Sequence, residues 1–162
     1  MGIRYYAYPI LASDIDLARR DPVGYLNSHP LVDDDKPYDE QLRLDLDKSW
    51  RDLQELFTVP HCSPAEWGMD LVRGNVHYDS GFAYQPHYAV LTPEQVATVA
   101  TQIARFDKVD VLAMYVDGGR SHVRETGRIR DYTSYVGHFL AEAQKFTAAC
   151  AEAGYGVIYT IG

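Results

Sequence analysis

Six side chains able to carry a proton, a metal or a ring contact fall between positions 77 and 88: His77, Tyr78, Asp79, Tyr84, His87 and Tyr88. Imidazoles and carboxylates so grouped are the raw material of acid–base catalysis and of zinc ligation. His61-Cys62 would add a nitrogen and a sulfur. The spacing matches no zinc motif, so no metal is expected. A cleft of tyrosines and histidines for a small polar ligand suits the composition better, because loops of this kind carry function more often than buried elements do. Asp45 and Asp47 are a second candidate. Alternate residues of an extended segment share one face, which makes a carboxylate pair geometrically possible. Charged side chains on such a segment more often cap a helix or face water.

Other combinations are weaker. Asp117 with Ser121-His122 has the residue types of a nucleophilic triad, yet adjacent residues rarely aim at one another and no nucleophile elbow precedes the serine. Gly118-Gly119-Arg120-Ser121 could cradle an anion with backbone N–H groups, but lacks the spacing of a phosphate-binding loop and reads as a turn. Asp33-Asp34-Asp35 lacks the calcium-loop spacing.

The bulk properties narrow the classes further. A chain of 162 residues, 46% apolar and 23% charged, is an ordinary globular sequence, expected to form one domain over 1–162. Fifteen basic against twenty-three acidic side chains give a net charge of −8, which argues against nucleic acid as a general partner. No apolar run reaches membrane-span length, and no basic segment leads into an apolar one at the start. A cytoplasmic location with Cys62 and Cys150 reduced is expected, Cys150 in the core. Thirteen tyrosines are some support for a binding role, since tyrosine is enriched at interfaces.

The elements that must position these residues are set by periodicity. Ile3 to Ile10 and Tyr155 to Ile161 read as strands that pair with each other. Leu42, Leu44 and Leu46 alternate with polar residues. The apolar spacing then widens to Trp50, Leu53, Leu56 and Phe57, the stripe of a helix expected from Lys48 with Asp47 as its N-cap. Asp21-Pro22, Ser63-Pro64-Ala65-Glu66 and Thr92-Pro93-Glu94-Gln95 are helix starts. The second should lead a helix with Trp67, Leu71 and Val72 inward to Gly74. The third should place Val96, Val99, Ile103 and Phe106 on one stripe. Tyr88 to Leu91 reads as a short strand. Asp107 to Val116 is ambiguous between strand and helix, and Arg120 to Arg130 reads as a basic connector. Tyr132 to Ala153 is a long helix running past Tyr135, Phe139, Ala143 and Phe146, stopped at Gly154.

In this order, Leu44-Asp45-Leu46-Asp47-Lys48-Ser49-Trp50, then Leu53 and Phe57, Tyr84, Leu91-Thr92-Pro93-Glu94-Gln95-Val96 and a closing helix and strand resemble the YfbM-like bacterial proteins, a domain of unknown function. The resemblance runs along nearly the whole chain, and its most specific part is the motif ending at Trp50. It implies a single α+β domain, from bacteria or a bacterial virus, with no assigned activity. The chain departs from the pattern at Tyr115-Val116 and at His77, Tyr78 and Asp79.

The expectation is an α+β fold: a small, mostly antiparallel sheet including the N- and C-terminal strands, packed with several helices. The function expected is non-catalytic binding, of a protein or small polar ligand, by a monomer or homodimer without a cofactor. Its candidate residues are His77, Asp79, Tyr84, His87, Tyr88 and Asp45. An enzyme using the same histidines and aspartates for acid–base chemistry is the alternative.

Overall fold

The computed structural model describes residues 2–28, 31, 35–58, 68–79, 83–117 and 121–162, the last without the side chains of Ser121 and His122. The fold is α+β. Strands β1 (Tyr5–Ile10), β2 (Leu44–Asp47), β5 (His87–Leu91) and β6 (Gly156–Ile161) form an antiparallel sheet in the order β2-β1-β6-β5. The first and last strands of the chain are therefore central neighbours, with Tyr5 opposite Ile161 and Ala7 opposite Tyr159. A separate two-stranded hairpin joins β3 (His77–Tyr78) to β4 (Tyr84–Gln85).

Alternation along the strands sorts the side chains onto two faces. Tyr5, Ala7, Leu44, Leu46, Val157, Tyr159, Ile161 and Leu91 are buried in the main core. That core is completed by helices α3 (Trp50–Thr58), α4 (Pro93–Ile103), α5 (Lys108–Asp117) and α7 (Ile129–Ala153). On the other face, Ile10, Ile158 and half-buried Tyr8 and Val90 meet Ile15, Ala18 and Tyr25 of α1 (Ile15–Arg20) and α2 (Pro22–Asn27) in a smaller core.

The strand-to-helix handover after β2 differs from its expected form. Asp47 does not cap the helix; it ends β2 at a positive φ of 46°. Its carboxylate instead accepts from the Tyr135 hydroxyl at 2.8 Å and lies 3.3 Å from Arg4 Nε. Ser49 stands at the helix entry, where its carbonyl accepts from Leu53 N–H. Its hydroxyl donates to Leu46 O at 2.7 Å. The tight turn lets Trp50, Leu53, Leu56 and Phe57 enter the core together, each at most 1% exposed.

Asp107 to Val116 is helical, as α5. Its valines favour a strand, but its first turn is closed reciprocally. Asp107 Oδ1 accepts from Val109 and Asp110 N–H, while Asp110 Oδ2 accepts from Asp107 N–H. The expected basic connector contains a short helix, α6 (Ser121–Glu125), and the start of α7. One side of α7 faces the core. Val136 and Leu140 are buried with Ala143, Phe146 and Cys150, while Tyr135 is 38% exposed. The helix start at Ser63 lies outside the described residues. Gly68–Leu71 form a 3-10 turn, where a helix continuing to Gly74 was expected.

The Thr92 capping box forms in full. Gln144 of α7 donates to the carbonyls of Ile103 and Phe106, both at 2.8 Å, and so satisfies the end of α4. Gly154 stops α7 in the left-handed conformation at φ 69°. Truncating the handover anchor, Trp50→Ala, is expected to cost about 3–5 kcal/mol of unfolding free energy, measured by urea denaturation.

Candidate functional site

The hairpin is placed by groups buried far from it in sequence. Tyr5 and Tyr159 stack beneath the sheet with ring centroids 5.2 Å apart. Tyr5 donates its hydroxyl to Leu71 O at 2.7 Å. Tyr159 donates to Arg73 O at 2.7 Å and approaches Asp70 O at 3.0 Å. From α3, Gln54 Nε2 donates to Val72 O and to Gly74 O. Residues 70–74 are thus held by their carbonyls from two directions. Burial pushes the hydroxyl pKa of both tyrosines well above the ordinary value, so the donors keep their protons.

Gly74 then turns the chain at φ 112°, and the His87 ring lies against it. A Cβ at Gly74 would fall 2.3 Å from His87 Nε2. The chain next enters β3. His77 pairs with Gln85 and Tyr78 with Tyr84, and Gln85 Nε2 donates to Asp79 Oδ2 at 3.1 Å. The Tyr78 and Tyr84 rings meet edge to face at 6.3 Å, yet remain 61% and 41% exposed.

Those two rings border a cleft of about 460 Å³ with Gly2, Ile3, Lys48, Trp50 and Arg51. The Lys48 stem lies over Gly2, where a Cβ would fall 2.3 Å from Lys48 Cε. The Arg51 guanidinium is 5.0 Å from the centre of the Trp50 ring. Lys48 and Arg51 also border a second concavity of about 540 Å³, with Asp52, Arg128, Asp131, Tyr132 and Tyr135. There Asp52 accepts from the buried Tyr115 hydroxyl at 2.8 Å, and Arg128 lies 3.4 Å from Asp131. Burial and the bond to Asp47 raise Tyr135 to about 12.

The sequence-predicted residues do not converge. Tyr84 lines the hairpin cleft. His77 and Asp79 are exposed on the hairpin. His87 is half-buried against Gly74, 6.2 Å from the Tyr159 ring, and Tyr88 lies on the opposite face of β5. Asp45 is on β2, at the far edge of the sheet from β5. It lines a groove of about 620 Å³ between β2 and α7, bordered also by Arg43, His138 and Glu142. Asp45 and Asp47 are engaged separately: Asp45 accepts from Asp47 N–H and the Tyr38 hydroxyl, Asp47 from Tyr135. His61-Cys62 and Gly118-Gly119-Arg120 lie outside the described residues. Among the described residues, no three His, Cys, Asp or Glu side chains are grouped to hold a metal ion.

Lys48 and Arg51 were not singled out by residue type. Their positions within and just after the Leu44–Trp50 motif were the available sign, because that motif turns the chain directly beside the hairpin.

The family described as a domain of unknown function, DUF1877, matches residues 1–160. The chain belongs to this family. Among solved structures, it is similar to YfbM from Escherichia coli, itself a protein of unknown function. The two share 14% identity over 99% of this chain and 100% of that one, with a TM-score of 0.54. At that identity the likeness shows a shared fold. No curated protein matches the chain. Among the described residues, no helix is long and apolar enough to cross a membrane.

Removing the anchoring hydroxyls tests the placement of residues 70–74, which lead into the hairpin. Tyr5→Phe should cost about 1–3 kcal/mol, because Leu71 O is left buried without its donor. The raised pKa values add a pH dependence. Stability from the protonated hydroxyls is complete below the unfolded value near pH 10 and is lost as pH rises toward the folded value. Over that window each tyrosine should steepen the loss by roughly 1.4 kcal/mol per pH unit. Urea midpoints measured from neutral to alkaline pH should show a shallower decline in Tyr159→Phe than in the unmodified chain.

Proposed function

We propose that this protein is a non-catalytic binding domain that takes a small polar ligand between the β3–β4 hairpin and the start of α3. The observation supporting this reading is the pair Tyr78 and Tyr84, both exposed, facing a concavity that Lys48, Trp50 and Arg51 complete. Exposed tyrosine offers a large contact area with few rotors and a hydroxyl for hydrogen bonding, which suits recognition. The concavity falls within the size range of small-ligand sites. Its walls are held by main-chain anchors and by the helix entry, so little ordering is needed on binding.

No observation among the described residues favours the acid–base alternative. His77 is exposed on the hairpin, Asp79 is engaged by Gln85, and His87 packs against Gly74.

Amide NMR with a library of small polar fragments tests the reading. Shifts should cluster at Gly2, Lys48, Arg51, Tyr78 and Tyr84, and Tyr84→Ala should weaken the best fragment about tenfold or more. Shifts clustering in the β2–α7 groove, or turnover of a fragment that depends on His77 or His87, would overturn it.

A further inference from the structure

We infer that the ligand of the hairpin cleft is an anion carried on a planar ring, with Lys48 and Arg51 holding the charge and Tyr78 and Tyr84 the ring. This rests on the binding reading above and adds the charge and shape of what is bound.

Charge balance points to an anion. Two cations and no acid are among the residues that border this cleft. In a chain with eight more acidic than basic side chains, that local excess is unusual. The neighbouring concavity sharing Lys48 and Arg51 sets Asp52 and Asp131 against three cations, Arg128 being the third. The β2–α7 groove sets Asp39, Asp45, Asp47 and Glu142 against Arg4, Arg43 and Lys145. Of these three concavities, the hairpin cleft is the one with no acid among its lining residues.

Among the described residues, the two cations are also outside the ion pairs. Arg4, Arg73 and Arg128 each make an ion pair with a nearby aspartate. Lys48 and Arg51 make none among the described residues. They are nonetheless oriented, Lys48 by its stem over Gly2 and Arg51 by the Trp50 ring. Arginine above an aromatic face keeps its planar fork of donors free for an anion such as carboxylate or phosphate.

The tyrosine pair supplies the surface for a ring. Two rings meeting edge to face border the cleft while staying exposed. A flat ring is the complement to such a surface, and an anion on that ring would reach the helix entry. A volume near 460 Å³ accommodates one or two fused rings with an attached acid group.

The test titrates the full chain with four probes, read by amide NMR: phenyl phosphate, phenol, inorganic phosphate and benzylamine. Phenyl phosphate should shift Gly2, Lys48, Arg51, Tyr78 and Tyr84, and bind about tenfold or more tightly than phenol or inorganic phosphate. Its affinity should fall as sodium chloride rises from about 0.05 M to about 0.5 M. Lys48→Gln with Arg51→Gln should abolish the advantage over phenol without lowering the melting temperature, since both side chains are exposed. Phenol or benzylamine binding in the cleft as tightly as phenyl phosphate would overturn the anion assignment and leave the binding reading standing. Inorganic phosphate binding as tightly as phenyl phosphate would overturn the ring assignment alone. If none of the probes shifts the cleft residues, the binding reading fails and this inference with it.

Discussion

Two tyrosine hydroxyls buried under the sheet are what the placement of the hairpin depends on. Tyr5 and Tyr159 come from the two central strands, stack on each other, and end in bonds to the carbonyls of residues 70–73. Irregular backbone entering a core must find partners for its polar groups, or the burial is unfavourable. Here the sheet itself supplies them, and Gln54 supplies two more from α3. The segment is thereby pinned between sheet and helix. Gly74 can then turn it outward at a backbone angle that side chains rarely adopt.

That arrangement links architecture to surface chemistry. The same handover that buries Trp50 sets Lys48 and Arg51 on the outside of the turn, exposed and beside the hairpin. The motif ending at Trp50 therefore serves both sides of one turn. Its leucines and tryptophan complete the core, and its lysine, with Arg51 just after it, faces the cleft. Asp47 joins this turn to α7 through Tyr135, and Asp52 joins α3 to α5 through Tyr115. Two residues lining the second concavity, Asp52 and Tyr135, are fixed by hydrogen bonds spanning 63 and 88 residues of sequence.

Much of the fold was legible because it follows local rules. The alternation of β1 and β6, the Thr92 capping box and the Gly154 stop each depend on a few adjacent residues. The failures share a different cause. Asp47 has the right type and place for a cap, but a tyrosine hydroxyl distant in sequence takes its carboxylate. The valines of α5 favour a strand, but a reciprocal pair of aspartates closes a helical turn around them. How the candidate residues stand relative to one another was not legible. Periodicity puts Tyr88 on a strand; that strand begins one residue earlier, at His87, and alternation sends the two to opposite faces. Asp45 could not be separated from the hairpin residues until the strand order placed it at the other edge. Lys48 and Arg51 gave no sign by type, because a surface cation in isolation is ordinary.

Hydroxyl bonds from the central strands thus hold the hairpin in position over the start of α3. Hydrogen exchange in a Tyr5→Phe, Tyr159→Phe double variant tests this most directly, because both rings and their stacking are kept and only the hydroxyls are removed. Faster exchange is predicted for the amides at 71–79 and 84–85, while β1 and β6 amides that pair with each other retain most of their protection. Unchanged protection in the hairpin alongside loss in the central strands would contradict it.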